Sequence, residues 1–208
     1  MTYKSTVLQT IFEVKKKSLT IQGESCALEL LTHDHRTDVH IVRLLARWRK
    51  KHEYWFPAQF PVTLKRTAVW LEKKVIEEPD RLLFMISDHG TYRGHVGLYR
   101  FDFEHHSCEI DNIVRGRSGP KGMMAQAIQL MMKWGRETLG LTQYTLQTTS
   151  DNVRALALYT RLGFVETKRV PLVYTKTSDG GSWEVASNEN ADNIKRYDVY
   201  MTTQKGES

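Results

Sequence analysis

A glycine-containing turn ahead of a long helix is the first segment of this sequence that could bind a charged ligand. Residues 115–124 are RGRSGPKGMM; they follow an apolar stretch at 108–114 and precede a helical pattern. The first N–H groups of a helix lack intrahelical acceptors and lie at the positive end of its dipole, so they can bind a phosphate. Glycines let the backbone come close to such a ligand. The segment therefore predicts an anion site, although a strand, Gly-x-x-Gly and a helix also form ordinary connections.

A second segment, SDNVRALALYTRLGF at 150–164, carries two polar side chains at helical spacing. Asn152 and Tyr159 are seven residues apart, close to two turns of the helix predicted over Val153 to Leu162. Both therefore lie on one helix face, about 10 Å apart along the axis, where they could contact one ligand at two depths. The alternative for Tyr159 is a core tyrosine whose hydroxyl is hydrogen-bonded.

The charge of the chain favours an anionic partner. It has 208 residues with 30 Lys and Arg against 24 Asp and Glu, a formal net charge of +6 at pH 7. Nucleic acid, an anionic nucleotide cofactor or a nucleotide-linked sugar would each suit this balance. Scattered basic runs are more often solvated surface, and no RNA- or DNA-binding module is recognisable. Nucleic acid is therefore not the expected partner.

The cysteines and the hydropathy pattern limit the classes of protein to which the chain could belong. Cys26 and Cys108 have neither CxxC spacing nor a partner cluster, so no zinc site or disulfide framework is predicted, and no metal is expected. No window approaches the roughly 18–20 apolar residues of a membrane span, and residues 1–23 lack the apolar core of a signal peptide. We therefore expect a cytoplasmic protein without a membrane span.

The elements that must position these residues follow from the spacing of apolar side chains. Helical spacing predicts helices over 38–51, 64–75, 123–140 and 153–162, the last ended by a left-handed Gly163. Turns are expected at Asp88–Gly90 and Ser178–Ser182. The expected strands are Val7–Val14, Leu19–Gln22, Ala27–Thr32, Arg81–Ser87, His95–Phe103, Cys108–Val114, Tyr144–Thr149, Phe164–Thr175 and Arg196–Thr203.

With the two short pieces at 7–14 and 19–22 counted together, the order of these elements is ββ, αα, βββ, α, β, α, ββ. It predicts an α+β fold, in which a mixed, mostly antiparallel central sheet carries helices on both faces. No repeat or convincing linker interrupts the chain, so one domain over 1–208 is expected, with 1–26 as an N-terminal extension. Pairing of the C-terminal strands between subunits is one route to a homodimer.

The segment 150–164 resembles, almost residue for residue, the second cofactor motif of the Gcn5-related N-acetyltransferases, the GNAT family. In that family the turn before the preceding helix holds the pyrophosphate of acetyl-CoA through the pattern Q/R-x-x-G-x-G/A. The best register places this pattern on 119–124, so that Gly122 matches the central glycine while both ends depart from it. Another register meets Pro120, which has no N–H, at the central glycine. The resemblance covers roughly 81–164.

The resemblance implies an acetyl-CoA-dependent N-acetyltransferase with a GNAT-like fold. It implies that Ile113, Val114 and Arg115 offer backbone groups to the pantetheine arm, as if the arm were an added strand. Asn152 would bind the pantetheine or hold the sheet apart, and Ala155 would leave room for it. Many members keep a tyrosine at the position of Tyr159 to protonate the departing thiolate. The pyrophosphate would lie among Gly119, Lys121, Gly122, Met123 and Met124.

Acetyl transfer also needs a neutral amine and a donor for the thioester oxygen. The expected donor is the backbone N–H of Val114. A primary amine is mostly protonated at neutral pH, so a carboxylate, a histidine or a water chain must take its proton. Strand alternation places Glu109, Asp111 and Ile113 on one face, opposite Cys108, Ile110 and Asn112. The candidate bases are Glu109, where several family members have a glutamate, then Asp111, then His95, His105 and His106.

The acceptor would be selected by the N-terminal helices and the last hairpin, here HEYWFP at 52–57 and the segment 173–183. The runs TLKRTAVWLEKKV, RLLFMISDHG, HVGLYRFDF and EIDNIVRG are similar to GNAT enzymes of surface-polysaccharide pathways. These enzymes acetylate an amino group on a nucleotide-linked amino-sugar, which is the first expected acceptor. The alternatives are a protein N-terminus, a polyamine or another small amine, or a non-catalytic acyl-CoA-binding protein.

Overall fold

The computed structural model describes residues 2–187 and 194–204. In this part of the chain the helices are α1 (Tyr3–Lys16), α2 (Val39–Lys51), α3 (Leu64–Leu71), α4 (Met123–Leu139) and α5 (Val153–Arg161). The strands are β1 (Thr20–Gln22), β2 (Ala27–Leu30), β3 (Ala58–Gln59), β4 (Leu82–Asp88), β5 (Thr91–Asp102), β6 (Ser107–Arg115), β7 (Gln143–Thr149), β8 (Phe164–Thr177), β9 (Gly180–Val185) and β10 (Arg196–Thr203). Short 3-10 turns cover His33–Thr37 and Glu53–Trp55, and a π-helical turn, Glu72–Ile76, extends α3.

All ten strands form one sheet, in the order β1-β2-β4-β5-β6-β7-β10-β8-β9-β3. Every neighbouring pair is antiparallel except β6 and β7, which run parallel and are connected through α4. The predicted α+β architecture, a mostly antiparallel sheet with helices on both faces, is confirmed.

The sheet separates two apolar cores. On one side α1, α4 and α5 pack over alternate residues of β4, namely Leu82, Phe84 and Ile86. On the other side α2 and α3 cover the residues between them, Leu83 and Met85. This alternation is what the two-residue repeat of a strand dictates when both faces are covered. We call the first side, with Phe84, the α4 face and the second, with Leu83, the α2 face.

The N-terminal segment is a helix, so the predicted strand at Val7–Val14 is wrong. Its β-branched residues favour a strand locally, but Val7, Ile11 and Lys15 are buried at a four-residue spacing, which places them on one side of α1. The Lys15 ammonium donates to the carbonyls of Val75 and Ile76 at 2.9 and 3.1 Å. These contacts come from the turn that ends α3, and they favour the helix through tertiary packing.

The C-terminal region contains a strand that the sequence prediction missed. Gly180–Val185 pairs with β8 on one side and with the short β3 on the other, where the prediction had an exposed turn at 178–182. The predicted antiparallel pairing of the last two strands is present, since β10 lies beside β8. Because β10 also pairs with β7, its edges are occupied, and pairing of this strand between subunits is not available.

Candidate active site

A bulge in β6 changes which side chains share a face of the sheet. Asn112 has a φ of 49°, and the pairing of β5 with β6 shifts by one residue at this point. The extra residue breaks the predicted alternation after Asp111, so Ile113 packs on the α4 face and Val114 on the α2 face. The prediction that Ile113 shares a face with the two carboxylates is therefore wrong. An asparagine tolerates the left-handed conformation better than most residues, so its type was the available signal.

Beyond Glu109, ahead of the bulge, β6 and β7 separate. Their parallel pairing runs only from Ser107 to Glu109 on β6, whereas β7 continues to Thr149 and pairs there with β10. The second half of β6 therefore has no strand partner on its β7 side. The Gly116 N–H bonds to Arg93 of β5, so by alternation Ile113 and Arg115 face this side, where the Arg115 carbonyl already accepts from His52. An extended ligand could pair with the remaining groups, which fits the expectation of pantetheine binding along residues 113–115.

The turn after β6 presents free backbone N–H groups. Gly122 has a φ of 83° and precedes α4, and the N–H of Met123 is bonded to the carbonyl of Pro120 at 3.2 Å. Within residues 2–187 and 194–204, the N–H groups of Gly122, Met124 and Ala125 have no hydrogen-bond acceptor. Three unpaired donors at the positive end of a 17-residue helix are suited to a phosphate. Met123 itself is buried, so its side chain belongs to the core.

Lys121 is exposed beside these donors, and Gly119 is half-buried in the same turn. A Cβ on Gly119 would lie 2.7 Å from the sulfur of Met123, so the absence of a side chain keeps the turn compact. The turn thus brings Gly119, Lys121, Gly122 and Met124 together, as predicted. Their contacts with a pyrophosphate stay predictions.

The turn is supported by residues of α2 and β5 that sequence reasoning missed. The Lys51 ammonium donates to the carbonyl of Gly116 at 3.1 Å, and His52 Nε2 bonds to the carbonyl of Arg115 at 2.9 Å. The carbonyl of Arg93 accepts from the N–H groups of both Gly116 and the next residue, each at 2.8 Å. Each of these contacts joins residues that are more than 20 positions apart in the sequence, so no local pattern indicates them.

Asn152 joins the end of β7 to the start of α5. Its side-chain oxygen accepts from the N–H of Ala155 at 3.3 Å, and its amide donates to the hydroxyl of Thr148 at 3.3 Å. It is therefore the N-cap of α5, with both ends of its side chain in use. Both contacts lie within the β7–α5 turn, so the expected roles of Asn152 toward pantetheine or the sheet stay predictions. Ala155 is half-buried against the α4-face core and carries no bulk.

Tyr159 is buried on the α4 face with its ring edge-on to Phe164, 6.3 Å between centroids. Burial raises the pKa of its hydroxyl. Among the described residues, none is hydrogen-bonded to this hydroxyl. Tyr144 gives the contrast, because its hydroxyl donates to the carbonyl of Met132 at 2.6 Å. Tyr144 is therefore a core tyrosine with a hydrogen-bonded hydroxyl, whereas the Tyr159 hydroxyl donates to no described residue.

Glu109 lies on the α2 face, where β6 and β7 begin to separate. Its Oε2 accepts from Arg100 at 2.9 Å and from Gln147 at 3.2 Å, while no described residue donates to Oε1. Burial raises the pKa of this carboxyl, and the Arg100 guanidinium opposes that shift only in part. A carboxylate with a raised pKa and one free oxygen can accept a proton.

Asp111 lies two residues further along the same face but is already engaged. Its Oδ2 is paired with the Arg81 guanidinium and accepts from Asn112 at 2.7 Å. Its Oδ1 is buried without a partner, directly above Gly97, where a Cβ would come within 2.7 Å. Burial raises the pKa of Asp111, with Arg81 opposing. An ion-paired, covered carboxylate is the weaker of the two candidate bases.

The three candidate histidines lie in unsuitable positions. His95 is buried, bonds through Nδ1 to the carbonyl of Asn112 at 2.7 Å, and stacks on Trp48. Burial lowers the pKa of His95 to about 4, with the bond to Asn112 opposing, so it stays neutral and supports the bulge. His105 and His106 lie in the turn before β6, at the closed end where β6 pairs with β7. Their Nδ1 atoms contact Asp102 at 2.8 Å and the carbonyl of Gly140 at 3.3 Å, so both rings are engaged in that turn.

A third carboxylate on this face, Asp198, was missed by sequence reasoning. It pairs with Thr149 across β7 and β10, so it lies on the far side of the opening from Asp111. Burial raises the pKa of Asp198, with a hydrogen bond from Tyr200 opposing. Burial raises the pKa of Glu109 as well, and Asp198 contributes to that shift. The position became visible only through the insertion of β10 beside β7.

The two segments expected to select the acceptor lie together. The short β3, after the aromatic run at 52–57, pairs with β9 at Ala58↔Ser182 and Gln59↔Gly181. Trp183 of β9 lies 4.7 Å from the Arg196 guanidinium, which also contacts the ring of Tyr54 at 4.3 Å. The aromatic residues therefore pack around an arginine, while Tyr54 and Trp55 stay 52% and 37% exposed, so their outer faces are open to an acceptor.

Sequence comparison assigns the family. The profile of the acetyltransferase (GNAT) domain matches residues 27–165. The chain belongs to the GNAT acetyltransferase family. It is accordingly an acetyl-CoA-dependent N-acetyltransferase, and the opening between β6 and β7, followed by the free N–H groups at Gly122, is the place where its residues fit that co-substrate.

The relatives found by comparison agree on the fold. A spermidine N(1)-acetyltransferase from Escherichia coli is 25% identical over 129 residues, which is 62% of this chain and 68% of that protein. A GNAT-family acetyltransferase from Chromobacterium violaceum superposes with a TM-score of 0.66 at 17% identity, covering 90% of this chain and 86% of that one. A spermidine/spermine N-acetyltransferase from Vibrio cholerae gives 0.59 at 16% identity, with 86% and 91% covered.

Two absences hold for the part of the chain that the structure describes. No group of three or more His, Cys, Asp or Glu side chains is arranged to hold a metal ion. No helix there is both long enough and apolar enough to cross a membrane. Both cysteines are free and buried.

Proposed function

We propose that this GNAT enzyme acetylates a primary amine of a small cationic acceptor of the polyamine type, by direct attack in a ternary complex. The observation that carries the proposal is the set of three carboxylates, Glu109, Asp111 and Asp198, on the α2 face around the opening between β6 and β7. An ammonium group is attracted to such a surface, and a carboxylate with a raised pKa can then deprotonate it.

The donor side of the proposed site lies along β6 and the turn. The N–H groups near Gly122 would bind the pyrophosphate. The Gly116 N–H bonds to the carbonyl of Arg93 and Val114 pairs with His95, so alternation turns the Val114 N–H toward β5 rather than toward the opening. The backbone of Ile113 and Arg115 would therefore bind the pantetheine arm, and the N–H of Ile113, in place of the expected Val114, would polarise the thioester carbonyl. Fixed backbone donors need no reorganisation when charge develops on that oxygen, which is why they are effective in such reactions.

The proton transfers are assigned to residues on opposite faces of the sheet. Glu109, on the α2 face, would take the proton of the attacking amine through its free Oε1. Tyr159, on the α4 face, would donate its hydroxyl proton to the departing thiolate. The opening between β6 and β7 is the place where a group can be reached from both faces. Asp111 would orient the ammonium electrostatically and remain paired with Arg81.

Two considerations favour a polyamine over the nucleotide-linked amino-sugar expected from the sequence. The curated relative and one of the structural relatives are named for spermidine acetylation. The carboxylates around the opening suit an acceptor that carries several positive charges, whereas a nucleotide diphosphate would bring negative charge next to them. The amino-sugar therefore becomes the second candidate, supported by the same resemblance as before.

The test is a panel of acceptors assayed by release of the CoA thiol, with mass spectrometry of the products. The panel contains spermidine, spermine, putrescine, a nucleotide-linked amino-sugar and a peptide with a free N-terminus. We expect kcat/KM for spermidine to exceed that for the amino-sugar by at least about tenfold, since an unmatched charged acceptor loses one or more ionic contacts. A preference for the amino-sugar or the peptide would contradict the polyamine assignment and leave acetyl transfer intact.

The oligomeric state of the enzyme is part of the same proposal. One spermidine N-acetyltransferase from Vibrio cholerae is described as dodecameric. We propose a homo-oligomer here as well, with contacts that do not use β10, since that strand is paired on both sides. Sedimentation velocity with and without spermidine tests this directly.

A further inference from the structure

A buried arginine joins four segments that lie far apart in the sequence. Arg196, the first residue of β10, is 2% exposed. Its Nε and Nη2 donate to the two oxygens of Asp151 at 2.9 and 3.0 Å, and Nη1 donates to the carbonyl of Tyr54 at 3.2 Å. The guanidinium carbon lies 4.3, 5.8 and 4.7 Å from the ring centroids of Tyr54, Trp55 and Trp183. We call this set the Arg196 cluster.

Asp151 connects the cluster to the donor side of the site. It precedes Asn152, the N-cap of α5, and its Oδ2 also accepts from the hydroxyl of Tyr54 at 2.7 Å. Partial burial would raise the pKa of Asp151, but hydrogen bonds from Arg196 and Tyr54 outweigh it and lower the pKa to about 2. The carboxylate is therefore ionised at every pH at which the enzyme would be assayed.

Tyr54 and Trp55 connect the cluster to the acceptor side. They form the 3-10 turn after α2, two and three residues beyond the His52 that holds the carbonyl of Arg115. The same stretch leads into β3, which pairs with β9 and so carries Trp183 toward the guanidinium. Two contacts thus set the position of this wall relative to the β7–α5 turn: the Arg196 guanidinium and the direct bond from the Tyr54 hydroxyl to Asp151.

An arginine suits this task in a way that a lysine does not. Its planar fork makes two parallel bonds to one carboxylate and still has a third nitrogen for the Tyr54 carbonyl, while its faces contact aromatic rings. The lysine ammonium can neutralise the charge of Asp151 but cannot make all these contacts at once.

We propose that Arg196 is a positioning residue that fixes the aromatic wall of the amine site against the β7–α5 turn, and thereby controls acceptor binding more than acetyl-CoA binding. This inference rests on the proposed acetylation of an amine. It assigns the selection of the acceptor to the geometry of residues 53–55 and 183, with Asp151 as the fixed point on the sheet.

The test compares Arg196→Lys with Arg169→Lys. Arg169 is the matched control, because it makes the same two-pronged contact with Glu166, at 2.9 and 2.8 Å, on the exposed surface of β8. Saturation curves are measured for acetyl-CoA and for whichever amine is the best substrate of the panel, so the outcome does not depend on that amine being a polyamine. For Arg196→Lys we expect the KM of the amine to rise at least about tenfold and the KM of acetyl-CoA to change less than about twofold.

Asp151→Asn provides a second variant in case Arg196→Lys does not fold. It removes the charge at the other end of the fork and is expected to raise the amine KM in the same direction. In the double variant the amine KM should rise by less than the product of the two single increases, because both substitutions break the same contact between Arg196 and Asp151. Equal rises in both KM values, or unchanged KM values with only a lower melting temperature, would overturn the proposal and leave the cluster as a structural tie.

Discussion

Two buried tyrosines on the α4 face differ in the state of their hydroxyl groups. Tyr144 donates to the carbonyl of Met132, whereas no described residue accepts from Tyr159. A tyrosine hydroxyl that donates to no protein acceptor can still give its proton to a ligand. The difference therefore supports a functional assignment for Tyr159 and a packing role for Tyr144.

Replacing Tyr159 with phenylalanine tests this assignment. We expect kcat to fall by about 100-fold, because the thiolate loses its proton donor. Under single-turnover conditions, where chemistry is observed directly, the same loss should appear. Tyr144→Phe is the control: it should cost about 1 kcal/mol of stability through one hydrogen bond and leave kcat unchanged. Full turnover in Tyr159→Phe would remove the acid role.

The raised pKa of Glu109 gives a prediction about pH. A carboxyl whose pKa is raised keeps its proton to a higher pH than usual, so it works as a base only above that value. We expect kcat/KM to decline as pH falls through the raised pKa. Glu109→Gln should lower kcat/KM by about 100-fold near pH 7, and the deficit should shrink at high pH, where more of the amine is already neutral.

The control for this change is Glu166→Gln, which removes an exposed carboxylate of β8 that pairs with Arg169. Its pH profile should match that of the unmodified enzyme. If Glu109→Gln and Glu166→Gln give the same profile, then Glu109 is not the base, and Asp111, Asp198 or a water chain must take the proton.

At the scale of elements, the packing of α2 against the turn after β6 decides how the cofactor turn is held. Trp48 of α2 is 1% exposed, and a Cβ on Gly116 would overlap its ring. Lys51 and His52, at the end of the same helix, hold the carbonyls of Gly116 and Arg115. The helix on the acceptor side therefore also shapes the donor side.

Gly116→Ala should separate α2 from the turn. We expect the KM of acetyl-CoA to rise about tenfold, with a stability loss of about 1–3 kcal/mol from overpacking. Gly90→Ala is the control, since that glycine has a φ of 71° but nothing within 4 Å of a Cβ. It should cost stability alone. An unchanged KM for acetyl-CoA in Gly116→Ala, measured alongside calorimetric binding, would mean that the turn does not depend on this contact.

At the scale of the whole molecule, the sheet is continuous except where β6 leaves β7. Hydrogen exchange should report this gap, because acetyl-CoA bound there would cover backbone N–H groups that have no strand partner. We expect acetyl-CoA to slow exchange in peptides spanning 112–116 and 122–125, and to leave the fully paired β4 unaffected. Protection confined to β8 and β9 would place the cofactor elsewhere.

Much of the fold could be predicted because its signals are local. The spacing of Met123, Ala127 and Met131 defined α4, and a glycine ended each of the last two helices, with Gly140 and Gly163 both at positive φ. The meander β4 to β6 followed from apolar runs separated by short turns. Errors occurred where tertiary contacts outweighed local preference, at α1 and at β9.

The sequence by itself determined the chemistry of the donor side: a glycine turn before a helix, and an asparagine and a tyrosine two turns apart on the next one. These features depend on residue type and spacing within one short segment, so they can be recognised from the sequence alone. The tertiary structure alone decided which groups surround the opening between β6 and β7. The bulge at Asn112 moved Ile113 to the other face of β6, and the insertion of β10 placed Asp198 beside β7 and Arg196 against Asp151. Contacts across 40 or more residues depend on strand order, and strand order is a property of the whole sheet.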